Sequence, residues 1–185
     1  MRRYWVLGME CSLLEIQKLA WFLERSVERL TPGSNPLNLK FEANKFGPFA
    51  PNLNHLLNSL DGSYLRSDKR IADSDPFDVI WFDDQRKEFV QAYLQSEAKA
   101  YASALEETAA LIDGFESPFG MELLATVDWL LTKEQVTPSV EAVREGLQRW
   151  PVPGAGKRKS ALFHDEAISI ALERLTHPPR PALAA

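Results

Sequence analysis

The stretch LLEIQKLAWFLERSVERL, residues 13–30, decides how the rest of the chain is read. Leu13, Ile16, Ala20, Leu23, Val27 and Leu30 recur at helical spacing, with Lys18, Arg25 and Glu28 off that stripe, so the segment is an amphipathic helix with one face for a core. TPGSNP ends it, because proline and glycine continue a helix poorly. LNLKFE, residues 37–42, then alternates apolar and polar positions as a half-buried strand does, and a turn-rich NKFGPFAP follows. Pro51 opens a short helix carrying Leu53, Leu56, Leu57 and Leu60, which Asp61-Gly62 closes.

Further along, SYLRS and FDVIWF read as two short strands that join LNLKFE in a small antiparallel sheet. Residues 85–112 are helical with a joint near Ser96. Ser117-Pro118 and Thr137-Pro138 each look like a cap and first residue of a helix. WPVPGAGKRKS reads as a loop, and Ile168, Ala171, Leu172 and Leu175 mark a last helix. The expected fold class is α+β, mainly α-helical, with one small sheet.

Composition agrees with a single soluble domain. The chain has 185 residues, 45% hydrophobic and 25% charged, which is enough for a core without metal or disulfide staples. One domain over residues 1–176 and a disordered tail over 177–185 are expected. The single cysteine, Cys11, allows no internal disulfide and no Cys-rich zinc site, and no apolar run nears the ~18 residues of a membrane span. A cytoplasmic protein with no membrane association is expected. The net charge of -5 weighs against a nucleic-acid-binding surface, and it is unevenly spread: Asp73 to Glu116 carries -8 and the rest of the chain +3.

Catalytic signatures are sparse. His55, His164 and His177 have no helical metal-site spacing, and Cys11 has no nucleophile motif around it. GAGKRKS fails as a phosphate loop, since Pro151 and Arg158 stand where the pattern needs a glycine and a hydroxyl; Lys157, Arg158 and Lys159 read as a mobile surface loop. No metal and no cofactor are expected. The last three helices could imitate a winged-helix DNA reader through Arg144, Gln148 and Arg149, but Glu141 and Glu145 on the same helix would repel phosphates.

Three stretches in order, LLEIQKLAWFLE (13–24), KFGPFAPNLNHLLNSLDGSYL (45–65) and GFESPFGMELLATVDWLL (114–131), resemble the C-terminal domain of DarG antitoxins, itself similar to Panacea or SocA-like antitoxin domains. In that family the partner is DarT, a toxin that ADP-ribosylates thymidine in single-stranded DNA. An N-terminal macrodomain removes the modification, and the C-terminal domain binds the toxin. The resemblance implies a Panacea/SocA-like helical domain with no enzymatic activity of its own, joined in the full-length protein to an upstream macrodomain that this chain does not contain. Phe46 and Phe49 stand where the family commonly has tyrosines, and Asp128 where it often has histidine.

Within that resemblance, Gln17 and Lys18 read as a polar pair satisfying neighbouring backbone, Gly47-Pro48 as a rigid turn, and Gly120 as part of a structural motif. A blocker of a DNA-binding groove should offer carboxylates for phosphates and aromatics for bases. Asp83, Asp84 and Glu88, with Trp81 and Tyr93, are therefore the expected toxin-facing residues of a DNA-mimicking surface. The alternatives are a Panacea-like module that neutralises a different toxin and a winged-helix-like DNA-binding regulator.

Overall fold

The structure, a computed structural model, describes Tyr4, residues 10–33 and residues 35–179. Helix α1 (Leu13–Leu30) starts at a capping box: the Ser12 hydroxyl accepts from the Glu15 N–H, and the Glu15 carboxylate accepts from the Ser12 N–H at 2.8 Å. Two donors that a helix start leaves free are thus satisfied reciprocally. Helix α1 buries Ile16, Trp21, Phe22 and Val27.

Two antiparallel strand pairs replace the expected single sheet. Strand β1 (Glu42–Asn44) pairs with β2 (Gly47–Phe49), placing Glu42 opposite Phe49. Helix α2 (Pro51–Leu60) follows directly. Strand β3 (Leu65–Arg66) pairs with β4 (Trp81–Phe82). The strand expected over residues 37–42 does not form: Asn38 adopts φ +44°, and the Leu39 N–H donates to the Glu24 carboxylate at 3.0 Å instead of to a neighbouring strand. Conversely, the stretch expected to be only a turn supplies β2.

Helix α3 (Lys87–Gln95) buries none of its side chains. A short 3₁₀ turn at Lys99–Tyr101 joins it to α4 (Ala102–Leu111), which packs Ala104 and Thr108 inward and runs against α1. The joint expected near Ser96 is present.

Helix α5 (Pro118–Thr132) is the centre of the molecule. The Ser117 hydroxyl accepts from the Gly120 N–H at 3.0 Å, Pro118 fills the first position, and every residue from Gly120 to Leu130 is buried. A helix enclosed all round must be surrounded by others. Around it lie α1, the β1–β2 hairpin, α6 (Val140–Gln148) and α8 (Asp165–Thr176). Gly120 is required by contact, because a Cβ there would lie 2.6 Å from the Phe115 carbonyl oxygen.

The expected loop at residues 150–160 is corrected to a helix, α7 (Ala155–Leu162), entered through Gly154 at φ +75°. It lies so close to α6 that a Cβ on Gly156 would come within 2.5 Å of the Leu147 carbonyl oxygen. The basic cluster is therefore not a mobile surface loop: Lys159 is completely buried. The architecture is α+β and mainly helical, as expected. Among the described residues no helix is long and apolar enough to cross a membrane. Residues 180–185 of the expected tail lie outside the described residues.

Candidate functional site

A cleft of about 590 Å³ opens between the first turns of α1, the β1–β2 hairpin and the segment Asp75–Phe77. Its walls are mostly apolar, with Leu13, Leu14, Phe46, Phe49, Pro76 and Phe77 around Gln17, Lys18, Asn44, Lys45 and Asp75. An apolar cavity with a few polar groups is the usual form of a small-molecule site.

Each wall is fixed by hydrogen bonds that start from α1. The Leu14 N–H donates to the Pro76 carbonyl at 2.7 Å and the Leu13 N–H to the Asp78 carbonyl at 3.0 Å, so free N–H groups of the helix start hold the 75–78 segment. The Gln17 amide grips both polar groups of Ala50: the Ala50 N–H donates to it at 3.0 Å and its Nε2 donates to the Ala50 carbonyl at 3.2 Å. Lys18 Nζ donates to the Pro48 carbonyl at 2.8 Å. The hairpin is thereby locked onto α1 through the polar pair that interrupts its apolar stripe. Gly47, at φ +93°, lets the hairpin backbone sit against α5, since a Cβ there would lie 2.9 Å from Thr126 Oγ1.

Behind Gly47 lies a buried ionic network. Glu122, on α5, accepts from the two terminal guanidinium nitrogens of Arg158 at 2.6 and 3.0 Å and from Lys159 Nζ at 2.6 Å. Lys159 Nζ also donates to Thr126 Oγ1 at 3.2 Å. Burial pushes the Glu122 carboxyl upward, but Arg158 and Lys159 outweigh it and hold the group below the usual carboxylate range. Lys18 and Lys159 are lowered to about 7 and about 8, chiefly by burial; for Lys18 the Lys159 charge adds to it and Glu122 opposes it. One acid, Glu122, thus answers two basic side chains, Arg158 and Lys159, behind the cleft.

The cleft also carries an aromatic pair. Phe46 and Phe77 meet edge to face with centroids 5.3 Å apart, and Phe77 is 53% exposed. Arg158 and Lys45 lie 4.9 and 5.1 Å from the centre of the Phe46 ring.

Gln17, Lys18, Gly47 and Pro48 therefore come together at this cleft, whereas Gly120 lies apart, beneath Phe115. The acidic candidates form a separate face. Asp83 is buried and accepts from Arg66 at 2.7 and 3.0 Å and from the Gln85 N–H at 3.0 Å, and the Arg66 hydrogen bond above all holds its carboxyl low. Asp84 and Glu88 are exposed, as are Trp81 and Tyr93 at 40% and 53%. His55, His164 and His177 are exposed, and Cys11 is packed in the core with its thiol pushed up to about 12 by burial. Among the described residues no three His, Cys, Asp or Glu side chains are grouped to hold a metal ion.

Glu122, Thr126, Arg158 and Lys159 escaped sequence reading as a site. One signal was present: Glu122 is a charge inside the apolar run GMELLATV, and a buried charge needs a partner.

No family model matches the chain. It is similar to DNA ADP-ribosyl glycohydrolases. The relative from Thermus aquaticus is 31% identical over 172 residues, 93% of this chain and 43% of the relative. Those from Mycobacterium tuberculosis and Mycobacterium bovis are 28% identical over 170 residues, 89% of this chain and 44% of each relative. The chain spans less than half the length of the curated relatives it matches.

These names correct the functional expectations. Proteins named as glycohydrolases are enzymes, which overturns the assignment to DarG-type and Panacea-like antitoxin domains, the non-enzymatic role, the DNA-mimicking inhibition of DarT, and both alternatives, a different toxin or a winged-helix regulator. The physical reason is visible in the motifs. Gln17, Lys18 and Gly47-Pro48 clamp a hairpin to a helix and Gly120 admits a close backbone approach, so they specify architecture and leave activity open.

Proposed function

We propose that this chain serves in a DNA ADP-ribosyl glycohydrolase, the removal of ADP-ribose from DNA being the activity to which it contributes. The observation that carries this is the 31% identity along 93% of the chain to a protein of that name. The cleft beside α1 supports it: hydrolysis of a glycosidic bond requires the modified unit to be held in one orientation, and the cleft offers enclosed volume and aromatic rings in one place.

The test exchanges this chain for the matching 172 residues of the Thermus aquaticus relative and follows release of ADP-ribose from an ADP-ribosylated oligonucleotide. The exchanged protein is expected to release ADP-ribose within about tenfold of the parent rate, and deletion of the segment to slow release by about tenfold or more. Release that is unchanged by the deletion would overturn the proposal.

A further inference from the structure

We infer that α3 is the contact face of a weak two-fold dimer, in which two copies of the chain lay this helix antiparallel, Phe89 against the partner's Tyr93 and Arg86 against the partner's Glu97. The inference is independent of the glycohydrolase role and of the cleft beside α1.

A helix of nine residues is marginal in water by itself, and helices in proteins are held mainly by an apolar face packed on a neighbour. α3 buries no side chain, yet it carries Phe89, 64% exposed, and Tyr93, 53% exposed. Four residues apart, the two stand on one face of the helix. Arg86 joins them: its guanidinium lies 5.9 Å from the centre of the Phe89 ring and 5.8 Å from that of Tyr64, itself exposed. Solvent-facing aromatic rings grouped around an arginine have the composition of an interface centre.

The charges select a second copy as the occupant. Arg86 stands at the start of α3 and Glu97 just past its end, both exposed and neither in a salt bridge among the described residues. Each is at the unfavourable end of its own helix, since a helix start favours acids and a helix end favours bases. An antiparallel copy reverses this by bringing each Arg86 to the partner's Glu97. The same register sets Phe89 against the partner's Tyr93, because both pairs are centred on the middle of the helix. Such self-complementarity is what a two-fold axis requires. A strongly basic partner fits less well. The neighbouring acids already have cations, Asp75 and Asp78 on Lys69 and Asp83 on Arg66, and the stripe carries one charge of each sign. One short helix with Tyr64 beside it is small against the ~800 Å² per partner of a standard interface, so the association is weak.

Sedimentation velocity of the whole chain tests this between about 1 μM and about 1 mM. The mass should rise from 20.9 kDa toward twice that value, with a Kd of about 10–100 μM. Phe89→Ala, at an exposed position, should weaken association by about tenfold or more. Arg86→Glu and Glu97→Arg should each weaken it by about tenfold at low salt. An equimolar mixture of those two variants should recover it to within about threefold of the native chain, because each variant then meets opposite charge at both ends of the helix. That recovery is specific to the antiparallel register.

A chain that stays monomeric at about 1 mM would overturn the dimer and leave α3 to a different protein. Association unchanged by Phe89→Ala, or a mixture as weak as either charge variant alone, would overturn it equally.

Discussion

Two charged regions of this molecule use the same residue types to opposite effect. Around Glu122, a carboxylate, two lysines and an arginine are gathered behind Gly47, with Lys18, Glu122 and Lys159 almost wholly removed from solvent. On the β4–α3 face, Asp84 and Glu88 stand in water beside exposed aromatics, and α3 buries no side chain at all. Sequence charge is far denser on the second face, yet the first is where charge acts on structure. Coulomb interactions are weakened in water and strengthened away from it, so one buried acid matters more than several solvated ones.

Substitutions can break this contrast, and the largest effect belongs to the buried side. Glu122→Gln keeps the shape but leaves Lys159 and Arg158 without their counter-charge; it should cost about 3–5 kcal/mol in urea unfolding.

Lys18→Met sharpens the contrast through pH. The folded-state value of Lys18 is about 7 against an ordinary 10.5, so between those values the unfolded chain holds a proton that the folded chain has released. Stability from this group therefore rises with pH across that window and is flat below it. The unfolding free energy of the native chain minus that of Lys18→Met should climb from about pH 7 to about pH 10, by at most about 1.4 kcal/mol per unit.

Asp83 belongs between the two regions, buried but partnered by a half-exposed arginine. Asp83→Asn should lower the urea-unfolding midpoint by less than Glu122→Gln does, through the weakened Arg66 pair, since asparagine keeps an acceptor for the Gln85 N–H. The smallest effect is expected on the solvated face, where Asp84→Asn combined with Glu88→Gln should leave the unfolding free energy within about 0.5 kcal/mol of the parent chain's.

The same contrast explains what could be read from the sequence. Helices α1 and α5 were legible because their signals are local: an apolar stripe over residues 13–30, and Ser117-Pro118 ahead of an apolar run. The β1–β2 pair was not, since Gly47-Pro48-Phe49 runs against strand propensity and pairs only because Gln17, Lys18 and α5 hold it there. Helix α7 was missed for a related reason. Its stability comes from contact with α6 and from the Lys159–Glu122 bond, whose partners are 37 residues apart. Of the cleft, Gln17, Lys18, Gly47 and Pro48 were singled out as structural residues, while the acid and the two bases behind them belong to segments that sequence alone does not bring together. Activity was the least legible part, because the residues that carry the resemblance set backbone geometry.

The proposal that this chain serves in a DNA ADP-ribosyl glycohydrolase is tested most directly by fluorescence anisotropy. An ADP-ribosylated oligonucleotide and its unmodified twin are each titrated with the chain. The modified strand should bind about tenfold more tightly, and free ADP-ribose should erase the difference. Equal affinity for the two strands, or a difference that free ADP-ribose leaves intact, would contradict the claim.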